Sequence, residues 1–123
     1  MKAHVAVSLL GLVLLSLGCS VAVSKETRYL QSAKDHATQE EVQQQLGAPT
    51  LTVSNDKGEV IWVYQVRGQQ AGNRMTAPGI WCDEYVLTFD EQTTLRQWTH
   101  RSEFHGGELM PTYCVTGGFD SKS

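Results

Sequence analysis

No apolar stretch of this chain is long enough to span a bilayer as a helix. The longest, Val5 to Leu17, has 13 residues and includes one Gly and two Ser. A hydrocarbon core about 30 Å thick needs about 20. Basic residues are few and scattered: Lys and Arg number 10, against 13 Asp and Glu. Without a basic cluster the chain lacks the electrostatic footprint of a nucleic-acid binder, and it has no polybasic patch to hold it on a membrane. Cysteine is sparse too, three in all. None stands in a CxxC pair or at metal-site spacing from a His, which argues against zinc or another bound metal. There is no G-x-S-x-G elbow, so the glycines of "FHGGEL" do not make a hydrolase. Those of "GGFD" follow no phosphate-cradling pattern. Internal repeats and low-complexity runs are missing as well.

What is present begins with Lys2, the short apolar block and the small residues after it, which together read as a secretory signal over residues 1–18. The "SLGC" that closes the block resembles the lipobox of bacterial lipoproteins, whose cysteine becomes the lipidated first residue of the mature chain. Ser16 and Leu17 stand in the reverse of the usual order, which places an aliphatic residue three before the cysteine and a small one two before it. The alternative is a plain signal cut elsewhere, such as after Ala22. Lipidation suits the residue, because a thiolate is nucleophilic enough to form the thioether. One acyl chain of the palmitate type binds only marginally, at about 0.8 kcal/mol per buried methylene, whereas several hold durably. Ser20, rather than Asp, follows Cys19, and in Gram-negative lipoproteins that resembles the sorting pattern of the outer membrane. The expectation is a lipid attachment at Cys19 in the outer membrane, with the soluble part facing the periplasm.

Loss of residues 1–18 leaves 105 residues, room for one small domain with a real core. It also leaves 9 basic residues against 13 acidic ones, a net charge of about −4. With Cys19 consumed, Cys82 and Cys114 remain, an even number in an oxidising compartment. A bridge between them closes a loop of 33 residues, worth roughly 3 to 4 kcal/mol in the chain-entropy model.

Residues 19–26 read as a lipidated tether, residues 27–102 as the domain, and residues 103–123 as an irregular tail pinned by Cys114. Within the domain, "KETRYLQSAKD" is a short helix with Tyr29, Leu30 and Ala33 at helical spacing. "TQEEVQQQLGAP" is a second: Thr38 and Glu41 form a capping box, Gly47 suits the left-handed turn after a helix, and Pro49 stops continuation. Val42 and Leu46 give it one narrow apolar face. "TLTVS" and "EVIWVYQVR" are strands around the turn "NDKG", and "GQQAGNRMTAPG" is a polar loop. "DEYVLTFDEQTTLRQWTHR" supplies two more strands around a tight turn at Asp90 to Thr93.

Alternation gives the long strand two faces. Val60, Trp62, Tyr64 and Val66 share one; Ile61, Val63, Gln65 and Arg67 share the other. Tyr85, Leu87 and Phe89 likewise oppose Val86 and Thr88. With the bulky sets under the helices, the fold class is α+β: two short N-terminal helices packed on a three- to four-stranded antiparallel meander. Trp62 is then expected to meet Val42 and Leu46.

The order "ATQEEVQQQLGAPT", "WVYQV", "YVLTFDEQTTLRQW" after a lipobox resembles the SmpA/OmlA (BamE-like) lipoproteins over residues 30–101. The resemblance implies an α-α-β-β-β fold and an outer-membrane location. It also implies a partner in the outer-membrane β-barrel assembly machine, of which the best-known member is an accessory subunit. His36 stands where the family usually has Gly, and the Cys-bearing tail is outside its usual pattern.

Chemistry-bearing residues are few. His100 and His105 with Glu103 and Glu108 match no ligand spacing. His36 and Cys114 have no companion in sequence that would make a site. Trp62, Tyr64 and Trp98 could stack on a ligand, but aromatic strand residues are ordinarily core. The chain therefore reads as a non-enzyme with no cofactor, acting as an envelope scaffolding or protein-binding module. The alternative is an inhibitor-like module that blocks a secreted hydrolase of the lysozyme or β-lactamase type. In either case the expected contact is the exposed strand face of Ile61, Val63 and Val86, with Arg67 at its rim.

Overall fold

The computed structural model describes residues 23–106 and 113–119. Its elements run α1 (Lys25–Ala33), α2 (Gln39–Leu46), β1 (Leu51–Ser54), β2 (Val60–Gln70), β3 (Gly79–Phe89) and β4 (Leu95–His105). The strands pair antiparallel in chain order as one four-stranded sheet, and the helices cover one face of it. The fold is therefore the expected two-layer α+β arrangement. No helix of the described residues is long and apolar enough to cross a membrane.

α1 begins at Lys25, where "KETRYLQSAKD" predicts it, and so takes the last two residues of the expected tether; Ser24 is its cap, the hydroxyl accepting from the Thr27 amide at 3.2 Å. Leu30 and Ala33 are buried against the sheet, and Tyr29 packs beside them. The connection to α2 is tied to β4, with the Asp35 amide donating to the Leu95 carbonyl and Leu95 donating back to Ala37. α2 keeps its expected place and one of the two bonds of the expected capping box. Thr38 Oγ1 accepts from the Glu41 amide, and Gly47 ends the helix at φ 80°, a conformation that costs a residue with a Cβ. The Tyr64 hydroxyl then donates to the Gly47 carbonyl at 2.9 Å, fixing that end of α2 to the sheet. Burial, with a smaller contribution from nearby Tyr29, pushes the Tyr64 phenol up to about 12.

The core between the layers contains Leu30, Ala33, Ala37 and Val42 from the helical half. The sheet contributes Trp62, Tyr64, Tyr85, Leu87, Phe89 and Leu95, with Leu46, Val60, Val66 and Trp98 at its margin. Trp62 meets Phe89 edge-on at 4.8 Å and is 7% exposed. It belongs to the core together with Val42 and Leu46, as its place in the alternation requires.

Two strands outrun their sequence signals. β2 continues through Gly68, Gln69 and Gln70, and β3 begins at Gly79, so the expected loop of residues 68–79 shrinks to 71–78. Cross-strand pairing prevails over the weak strand propensity of Gly and Gln. The Trp81 indole N–H donates to Gln70 Oε1 at 2.8 Å across the pair, and Asn73 Oδ1 accepts the Met75 and Thr76 amides to close the tip. Gly79 is required by space. A Cβ there would lie 2.5 Å from the Phe104 ring and 2.6 Å from the His105 carbonyl. β4 likewise runs to His105, three residues into the expected irregular tail.

At the β3–β4 turn Asp90 Oδ1 accepts the Gln92 and Thr94 amides, and Oδ2 accepts Arg96 Nε at 2.6 Å. These donors, the Thr94 amide foremost, hold the Asp90 carboxyl below the usual carboxylate range. Thr93 adopts φ 64°, a strained conformation for a β-branched residue, and its carbonyl accepts the Gln39 amide at the start of α2.

Candidate interaction face

The second face of the sheet carries the functional question. The register places Leu51 and Val53 of β1 beside Val63 and Ile61 of β2. These continue into Val86 and Thr88 of β3 and Thr99 and Gln97 of β4. Further along the same face come Cys82 and Glu84, then Arg101, Glu103 and His105.

Residues 113–119 lie across that further half. Cys114 is bonded to Cys82, as the cysteine count anticipated, and both are buried with Val115. Four polar side chains of the sheet hold the segment at other points. His105 Nε2 donates to the Cys114 carbonyl at 2.6 Å. Glu103 accepts from the Thr116 amide and, at 2.8 Å, from its hydroxyl. The Arg101 guanidinium donates to the carbonyls of Thr116 and Gly117. Glu84, 2% exposed, accepts the Phe119 amide on both carboxylate oxygens, at 3.0 and 3.3 Å. A buried carboxylate is tolerated only with such partners. Among the described residues no buried side-chain nitrogen or oxygen lacks a partner.

The expected contact residues divide accordingly. Ile61 and Val86 are half-buried, and Arg67 is exposed near the far end of β2. Val63 is not exposed: it is 1% accessible, flanked by Leu51 and Val86 in the neighbouring strands, and must be removed from the contact surface. What stays accessible on this face is a partly exposed apolar strip of Leu51, Val53, Ile61 and Val86. Cys19 and Glu108 lie outside the described residues. His100 and His105 do not converge, because strand alternation puts them on opposite faces. His100 stacks on Tyr85 at 4.3 Å and bonds Asp83 at 2.7 Å on the helix side. Among the described residues no three His, Cys, Asp or Glu side chains gather as a metal site. A shallow cleft of about 440 Å³ beside α2, lined by Thr38, Gln39, Glu40, Gln43, Trp62 and Thr93, brings together no acid–base pair.

The clamp roles of Glu84, Arg101 and Glu103 escaped sequence reasoning, which weighed Glu103 only as a metal ligand beside His100 and His105. Their one signal is charge at positions where alternation puts β3 and β4 residues on a single face, and it means nothing until the tail is known to cross that face. Comparison of the chain with protein-family models, with curated proteins and with solved structures finds no match.

Two consequences of the clamp can be measured. Replacing both Cys82 and Cys114 by Ala is expected to cost roughly 3 to 4 kcal/mol in a denaturant titration, the closure entropy of a loop this long. An unchanged midpoint would mean that the polar contacts hold the segment unaided. Glu103 gives a pH signature. Its bonds from Thr116 hold its carboxyl below the ordinary value of 4.5. Its stabilising contribution is therefore complete above pH 4.5 and is lost as the pH falls through the lowered folded value. The Thr116 amide resonance should follow this titration with a midpoint below 4.5; a midpoint at or above that value contradicts the contact.

Proposed function

We propose that this chain is a lipid-anchored envelope protein, held through Cys19 in the outer membrane and facing the periplasm, whose domain binds another envelope protein and catalyses nothing. The observation that carries the binding role is the apolar strip of Leu51, Val53, Ile61 and Val86 on the half of the sheet that the tail's clamp residues do not occupy. Partly exposed apolar groups gathered on one face favour a protein contact over solvent. A buried disulfide supports an oxidising compartment. The signal-like start and "SLGC" support the anchor, and the resemblance to the SmpA/OmlA lipoproteins makes the β-barrel assembly machinery the first partner to test.

A photo-reactive residue placed in cells at Ile61 or at Val86 is expected to give a discrete adduct with an envelope protein. The same group at Gln31, exposed on α1, should give none. Adducts from Gln31 but from neither sheet position would move the contact to the helical layer.

A further inference from the structure

The β2–β3 hairpin projects past the helices, and its end differs from the rest of the surface. Trp81 is 43% exposed and Met75 91% exposed; the Phe104 ring leans on Trp81 at 5.1 Å. Tyr113 is exposed at the same end of the sheet, edge-on to His105. Charge changes there as well. Between Glu59 and Asp83 the sequence has no carboxylate, only Arg67 and Arg74, in a chain whose net charge is −3. The indole N–H of Trp81 and the tip amides of Met75 and Thr76 are satisfied within the hairpin, so moving this end out of water leaves those donors paired.

The position of the chain's start gives this end a neighbour. Ser24, the cap of α1, bonds the Tyr85 hydroxyl at 2.7 Å, whereas the chain just after α1 bonds Leu95 at the other end of the sheet. The N-terminus of α1 therefore points toward the hairpin end. From Tyr85 to Gly79 is six residues of strand, about 20 Å at roughly 3.3 Å each. From Cys19 to Ser24 is five residues, which span at most about 18 Å whatever path they take. The anchor is thus shorter than the arm beside it.

We propose that the end of the β2–β3 hairpin rests in the headgroup region of the bilayer that holds Cys19, with Trp81 as its interfacial anchor. This rests on the lipidation reading above. Aromatic rings with one polar group settle at the membrane–water boundary, and Arg67 and Arg74, in a stretch of sequence without carboxylates, suit anionic lipid. The domain then stands on two feet, acyl chains and hairpin, which fixes its orientation and turns its outer face toward periplasmic partners.

The test uses the mature protein extracted from membranes, its acyl chains verified by intact mass. It is reconstituted in vesicles of phosphatidylethanolamine and phosphatidylglycerol, with or without lipids brominated near the headgroup end of the acyl chain. Bromine quenches indole only near contact, and Trp62 lies in the protein core. The expected result is quenching in the wild type that disappears in Trp81→Phe and persists in Trp98→Phe. Lipidated protein that shows no quenching, or equal quenching with and without Trp81, overturns the hairpin proposal and leaves the anchor standing. Protein without acyl mass overturns both.

Discussion

Val63→Asp is expected to destabilise the domain by about 4 kcal/mol or more, the range reached when an unpaired charge is buried. Val63 is 1% exposed between Leu51 and Val86, and the clamp segment is held by Glu84 on the same face of β3. Two effects add. Removing the valine loses roughly 1.5 to 3 kcal/mol of apolar burial, and the carboxylate must either stay charged without a partner or take up a proton. The loss should therefore be partly recovered at low pH. Thermal melts at pH 7 and pH 4 measure both parts. A variant that melts like the wild type would return Val63 to the surface and revive it as a contact residue.

Trp62→Ala is expected to cost about 3 to 5 kcal/mol. The indole is edge-on to Phe89 at 4.8 Å and to Tyr64 at 6.4 Å, inside the core shared with Val42. Its removal opens a cavity under α2, a helix of eight residues that is too short to persist without this packing. Circular dichroism during urea titration should show the lower midpoint with an unchanged slope. If the stability of the variant is unaltered while its envelope adducts vanish, the two faces of the sheet have been exchanged.

Much of the fold was legible because it rests on short-range rules. Thr38, Glu41 and Gly47 mark α2 by capping chemistry, and "EVIWVYQVR" fixes by period two which side chains meet the helices. The ends of the strands were not legible. Gly68 to Gln70 and Gly79 have weak strand propensity and are strand because the two segments pair with each other across residues 71–78, a contact that neither segment's own sequence shows. The same limit explains Val63. Alternation correctly put it opposite the helices, yet its burial depends on Leu51 and Val86 in the strands paired on either side. The further half of that face is covered by a segment some 50 residues later. The even cysteine count was the one sign that this segment returns to the sheet, and it led to the Cys82–Cys114 bridge without showing how far the segment reaches.

That Cys19 carries lipid is tested most directly by detergent phase partitioning of the expressed protein, with intact mass of each phase. The parent chain should enter the detergent phase as a mature species beginning at Cys19 with acyl chains added, and Cys19→Ser should remain soluble in the periplasmic fraction. Equal partitioning of the two, or a mature chain that begins after Ala22 and bears no lipid, would contradict the anchor.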